Sequence, residues 1–140
     1  APTSTIAWFE DLTRGDVPKV GGKNASLGEM VRTLSAEGVK VPPGFATTAD
    51  AYWIFVDANR IRERIAAHIA QWRSGKAALP EIGKAIRDLF PKGDWPEQSA
   101  REIVEAYRAL SKRAGRTDAD VAVRSSATAE DLPDASFAGQ

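Results

Sequence analysis

The chain of 140 residues contains no cysteine and only one histidine. Disulfide frameworks, thiolate metal sites and thiol nucleophiles are therefore excluded, because each of them needs cysteine. A metal site built from several histidines is excluded by the histidine count. The sequence also lacks an apolar run near the roughly 20 residues that span a bilayer, and it lacks a basic-then-apolar signal pattern. We therefore predict a cytoplasmic protein with no membrane partner.

An excess of one charge is also missing, since 19 basic residues balance 19 acidic ones. A net charge of zero provides no bulk attraction to nucleic acid or to an anionic membrane surface. Basic residues outnumber acidic ones over residues 60–113, but they are scattered over several predicted helices. That pattern favours a solvated face over a polyanion-binding stripe. We predict no nucleic-acid partner.

Helical periodicity is the main pattern that the sequence does contain. Apolar residues recur at helical spacing through the middle of the chain, about 48–114. A β-branched run at 121–126 then predicts a strand, which opens a strand and loop motif over 121–140. The expected fold class is α+β, helix-rich with a few short strands, and residues 1–140 form a single partial domain. Because the chain stops inside an apparent strand that starts at Ser136, we interpret it as a fragment.

An earlier helix is predicted just after a pair of glycines. Four apolar residues at helical spacing mark one face of it, namely Leu27, Met30, Val31 and Leu34. Asn24 or Ser26 is a suitable cap for its start, and Gly38 is suited to its end. Thr47 or Thr48 is the predicted cap of the next helix.

The segment Gly21-Gly22-Lys23 is the first candidate for ligand binding. A glycine pair lets the backbone approach a ligand closely, and amide groups at a helix start favour an anion such as phosphate. Lys23 adds a mobile positive charge. The segment is not a P-loop, because Val17 and Asn24 stand where that motif needs Gly and Ser/Thr. An ordinary glycine turn is the alternative interpretation.

Arg124 is the second candidate, at the end of the predicted strand. Three hydroxyl residues lie within 125–128, and an arginine beside them could hold a phosphate through two parallel hydrogen bonds. A surface ion pair with Glu130 or Asp131 explains the same arginine equally well.

An acidic loop and the single histidine are weaker candidates for metal binding and catalysis. Glu130, Asp131 and Asp134 have the oxygen ligands that Mg²⁺ prefers, although capping and solubility explain acidic residues in such a loop equally well. His68 lies within a predicted helix with no evident acidic partner. A solvated helix histidine is therefore favoured over a catalytic one.

Three ordered blocks carry a resemblance to a known family. They are residues 20–30 (VGGKNASLGEM), 41–48 (VPPGFATT) and 123–140 (VRSSATAEDLPDASFAGQ). Together they closely resemble the N-terminal ATP-grasp domain of the phosphoenolpyruvate synthase family. The pattern is shared with pyruvate phosphate dikinases and rifampin phosphotransferases.

The resemblance implies an ATP-binding part of a phosphotransferase. Its parent enzyme would make phosphoenolpyruvate, AMP and phosphate from ATP, pyruvate and water through a phosphohistidine outside this chain. By position, Lys23 would contact the ATP phosphates, Arg124 would bind the transferring phosphoryl region, and Gly139 would line the nucleotide pocket. His68 does not match the family's phosphorylated histidine, so no catalytic residue is assigned here.

The resemblance also implies what lies elsewhere. The Mg²⁺ ligands, the adenine-binding strand and the pyruvate site are expected beyond Gln140, in the remaining domains of the same polypeptide. The fragment alone would then not turn over. A rifampin phosphotransferase and a non-catalytic helical binding module are the alternative functions.

Overall fold

A computed structural model describes residues 5–129 of the chain. Within that range two compact units are present, one formed by residues 5–51 and 98–129 and the other by Tyr52–Glu97. The elements in chain order are strand β1 (Ile6–Trp8), helices α1 (Val17–Val20) and α2 (Gly22–Ala36), strand β2 (Phe45–Thr47), and helices α3 (Ala49–Ala58), α4 (Ile61–Arg73), α5 (Leu79–Asp88) and α6 (Glu97–Arg113). The predicted helix-rich α+β class is confirmed. None of these described helices is long and apolar enough to cross a membrane.

The first unit is built around a two-stranded antiparallel sheet. β1 pairs with β2 so that Ala7 lies opposite Ala46, and both of these alanines are buried. Because side chains alternate between the two faces of a strand, the small central residues share the face that is covered. The buried cluster on that side comprises Ala7, Leu12, Val20, Ala25 and Ala46.

Helix α2 packs against a 3₁₀ turn, Phe9–Asp11, that follows β1. The contact is close at Gly28, where an added Cβ atom would lie 2.5 Å from the Leu12 Cβ and 2.9 Å from the Phe9 carbonyl oxygen. Leu12 is only 1% exposed. The glycine therefore allows the helix backbone to lie directly on the core.

Two predicted helix boundaries are confirmed. Gly38 has a φ of +82° and follows α2, with its N–H donating to the Ser35 carbonyl while the Val39 N–H donates to the Leu34 carbonyl. This pair of bonds is the Schellman arrangement, which satisfies the last carbonyls of a helix. At the start of α3, the Thr48 hydroxyl accepts a hydrogen bond from the Ala51 N–H at 3.2 Å.

Arg113, the last residue of α6, joins that helix to the region after β1. Its guanidinium lies 4.0 Å from the centroid of the Trp8 ring and donates to the Glu10 carboxylate at 2.7 Å. Partial burial by itself would raise the pKa of Glu10, but the hydrogen bond and charge of Arg113 outweigh that effect and lower the pKa. The pair therefore joins the two chain segments that make up the first unit.

The second unit has a core of its own. Phe55, Val56 and Ile61 are buried together, with Ile65, Leu89 and Phe90 packed against them. The Asn59 side chain joins the end of α3 to the segment before α6. It donates to the Asp94 carbonyl at 2.9 Å and accepts from the Asp94 N–H at 2.8 Å. Arg60, at a φ of +56°, lies between α3 and α4 and is the N-cap residue of α4.

Candidate functional site

The glycine pair forms the junction between α1 and α2. The Gly21 N–H donates to the Val17 carbonyl at 2.8 Å and ends α1, while the Gly21 carbonyl accepts from the Ala25 N–H at 3.1 Å and begins α2. Gly21 has φ +85° and ψ 164°, a backbone conformation that is essentially restricted to glycine. One residue thus separates two helices and changes the direction of the chain.

The predicted caps for this helix, Asn24 and Ser26, are wrong. The helix begins earlier, at Gly22, with Gly21 as its N-cap and with no capping bond from a side chain. The Asn24 amide instead donates to the Val20 carbonyl at 2.9 Å, so it satisfies the end of α1. The cap prediction failed because the one-turn helix α1 leaves a carbonyl that Asn24 reaches.

Residues near Arg124 lie directly against this glycine turn. The Ser126 hydroxyl donates to the Val20 carbonyl at 3.0 Å, across 106 positions of sequence. The Gly22 N–H donates to the Ala127 carbonyl at 3.4 Å. A Cβ atom on Gly21 would lie 2.3 Å from the Ser126 Oγ and 2.9 Å from the Ala127 oxygen. The two candidate segments are therefore in direct contact.

The two glycine amides make hydrogen bonds within the chain. The Gly21 N–H donates to the Val17 carbonyl at 2.8 Å, and the Gly22 N–H donates to the Ala127 carbonyl at 3.4 Å. The missing side chain of Gly21 leaves room for residues 126–127 of the same chain.

The other end of the same segment is held by α6. The Tyr107 hydroxyl donates to the Ala119 carbonyl at 2.8 Å, and the Ser111 hydroxyl accepts from the Ala119 N–H at 3.1 Å. Both Ser111 and Ala119 are buried. Sequence reasoning missed this anchor, because Tyr107 and a small polar neighbour one turn later look like ordinary residues of a helix face.

The strand predicted over 121–126 is not formed. Residues 121–127 adopt no regular structure, and Val123 is 91% exposed. β1 and β2 are the two paired strands of the described range, and they pair with each other. A β-branched run becomes a strand only where a ladder partner lies beside it. Here the run is an exposed strap between Ala119 and Ser126.

The two candidate cations belong to these joined segments. Lys23 is exposed in the first turn of α2, and Arg124 is exposed two residues before Ser126. Gly139, proposed for the nucleotide pocket, lies outside the described residues, as do the acidic residues Glu130, Asp131 and Asp134. His68 is half-buried on α4, in the second unit. In the described range, no three Asp, Glu or His side chains come together as a metal site.

Comparison with known proteins places the chain in a family. Residues 17–140 match the pyruvate phosphate dikinase AMP/ATP-binding domain. The chain belongs to that family of nucleotide-binding domains, and the resemblance found in the three sequence blocks is confirmed.

The curated relatives that the chain matches carry a more specific name than the family does. The chain is 53% identical over 136 residues to a phosphoenolpyruvate synthase of Neisseria meningitidis serogroup B. The aligned region covers 96% of the chain and 17% of that protein. It is 46% identical to those of Aquifex aeolicus and Escherichia coli, covering 96% of the chain and 16% and 17% of the two proteins. The chain thus spans less than a fifth of the length of these relatives.

Proposed function

We propose that this chain forms one wall of the ATP site in a phosphoenolpyruvate synthase, a phosphotransferase that makes phosphoenolpyruvate, AMP and phosphate from ATP, pyruvate and water. The observation that carries the proposal is the junction of the Gly21-Gly22-Lys23 turn with the segment that bears Arg124. Family membership and the names of the relatives support the choice of nucleotide and reaction.

Lys23 and Arg124 are assigned to the polyphosphate of the nucleotide. Phosphoryl transfer depends mainly on positioning and on neutralising charge, and these two residues supply positive charge on adjoining segments. The guanidinium of Arg124 suits two parallel bonds to phosphate oxygens, whereas the Lys23 ammonium acts as a mobile point charge. Gly139 is proposed to line the same pocket through its backbone.

The rest of the reaction is assigned to other parts of the polypeptide, in the cytoplasm. Mg²⁺ supplies charge neutralisation at the phosphates when it is bound, and carboxylates usually hold it together with phosphates and waters. The described residues offer no ready cluster of such ligands. The Mg²⁺ ligands, the phosphorylated histidine and the pyruvate site are proposed to lie in other parts of the polypeptide, and the short coverage of the relatives supports this.

Lys23→Gln and Arg124→Gln should each weaken binding of ATP with Mg²⁺ by about tenfold, because a hydrogen bond to a charged group contributes about 1.5–3 kcal/mol. Binding to this single wall is expected in the millimolar range and is best measured by NMR titration of the chain. Lys76→Gln, an exposed lysine of the second unit, is the matched control and should bind as the wild type does. Equal affinity in all four proteins would contradict the assignment.

The whole reaction is tested by AMP release. The complete polypeptide that contains this chain should form AMP from ATP when pyruvate is present, and it should not do so when rifampin replaces pyruvate. The 140-residue chain alone should form none. AMP formation that depends on rifampin would assign a different substrate, and turnover by the isolated chain would refute its role as one wall of a larger site.

A further inference from the structure

We infer that Ser126 is a positioning residue, whose hydroxyl fixes the segment that bears Arg124 against the turn that bears Lys23. The inference rests on the proposed function, since its purpose is to hold two phosphate-binding cations in one geometry. Nothing in the family description or in the relatives' names assigns a role to this serine.

The hydroxyl of Ser126 reaches a shielded acceptor. Val20 is buried, and its carbonyl accepts from both the Ser126 hydroxyl at 3.0 Å and the Asn24 amide at 2.9 Å. A backbone carbonyl can accept two hydrogen bonds, so the Ser126 hydroxyl and the Asn24 amide share this acceptor. The bond thus ties the strap to a point that is itself held by the core of the first unit.

The strap has two anchors, and Arg124 lies close to one of them. Ala119 is held by Tyr107 and Ser111 of α6. At the other end the described contacts are the Ser126 bond and the longer bond of 3.4 Å from the Gly22 N–H to the Ala127 carbonyl. Residues 120–125 between the anchors are exposed. The direction of the strap at Arg124 therefore depends mostly on Ser126.

Gly21 and Ser126 act as a matched pair. The Ser126 Oγ occupies the place that a side chain at position 21 would take, with only 2.3 Å between it and an ideal Cβ. This fit fixes the distance between the strap and the start of α2, and Lys23 lies in the first turn of that helix. A change at Ser126 should therefore alter how Arg124 and Lys23 face one ligand.

The test is a titration of the 140-residue chain with ATP and Mg²⁺. Ser126→Ala should weaken binding about threefold to tenfold, the effect of losing one net hydrogen bond. The same substitution in an Arg124→Gln background should have less than about a twofold effect, because the arginine through which it acts is gone. A merely structural role would weaken binding equally in both backgrounds.

Two further variants complete the design. Ser125→Ala removes an adjacent, exposed hydroxyl and should leave affinity unchanged. Ser126→Thr keeps the hydroxyl and should stay within about twofold of the wild type, which separates the lost bond from any failure of the alanine variant to fold. Unchanged affinity in Ser126→Ala, or equal loss in the threonine variant, would overturn the inference while leaving the proposed function standing. No binding by the wild-type chain would overturn both.

Discussion

Gly21→Ala should lower the free energy of unfolding by about 3 kcal/mol or more, the largest effect of any single substitution considered for the site. Two causes add. The conformation at φ +85° and ψ 164° is strained for any residue with a side chain, by about 1–3 kcal/mol. The new Cβ would also lie 2.3 Å from the Ser126 Oγ and 2.9 Å from the Ala127 oxygen, and overpacking of this kind costs about 1–3 kcal/mol.

Gly38→Ala is the matched control for that measurement. Gly38 has nearly the same φ, +82°, but an added Cβ would meet no atom within 4 Å. Gly38→Ala should lower the free energy of unfolding by about 1 kcal/mol, from backbone strain alone. Urea unfolding of both variants therefore compares a glycine packed against residues 126–127 with a glycine of similar φ that has open space around it. If both variants unfold at the same urea concentration, that contact does not exist in solution.

Gly28→Ala should also destabilise the chain, by about 2 kcal/mol, although the position lies inside a helix. In an open helix the change from Gly to Ala stabilises by about 1 kcal/mol. Here the Cβ would lie 2.5 Å from the Leu12 Cβ and 2.9 Å from the carbonyl oxygens of Leu12 and Phe9. Backbone atoms cannot move aside cheaply, so α2 would have to move away from the core.

Gly83→Ala is the control for Gly28→Ala, because its expected change in stability has the opposite sign. Gly83 lies within α5, and the nearest atom to an added Cβ is the end of the flexible Arg87 side chain at 3.2 Å. This variant should gain up to about 1 kcal/mol of stability. Thermal and urea unfolding of the two variants should therefore shift in opposite directions. A stabilising Gly28→Ala would mean that α2 does not lie on Leu12 as described.

The elements that depend on near neighbours were predictable from sequence. Apolar spacing predicted the helix that carries Leu27 and Leu34, and both Gly38 and Thr48 have the terminal roles expected of them. These features depend on side chains three or four positions apart, so a short stretch of sequence contains all the information. The resemblance in the three blocks likewise predicted the family that residues 17–140 match.

Two local predictions failed, at Asn24 and over residues 121–126, for different reasons. Asn24 was expected to cap α2, but the Val20 carbonyl takes its amide. The run at 121–126 has strand composition, yet no ladder partner lies beside it in the described range, and it is an exposed strap. At Asn24 the deciding acceptor lies four residues back, at the end of α1. Over 121–126 the strand composition was not enough without a neighbouring strand.

The sequence by itself determined most of the helices, the end of α2 at Gly38, the start of α3 at Thr48 and the family, because each follows from local spacing or from ordered motifs. It also marked Lys23 and Arg124 as separate candidates for binding an anion. Only the tertiary structure joined their segments, through Ser126 and Val20 at 106 positions apart. It also revealed the hydrogen bond from the Gly22 N–H to the Ala127 carbonyl. Such a contact depends on how every intervening element packs, and no local spacing encodes it.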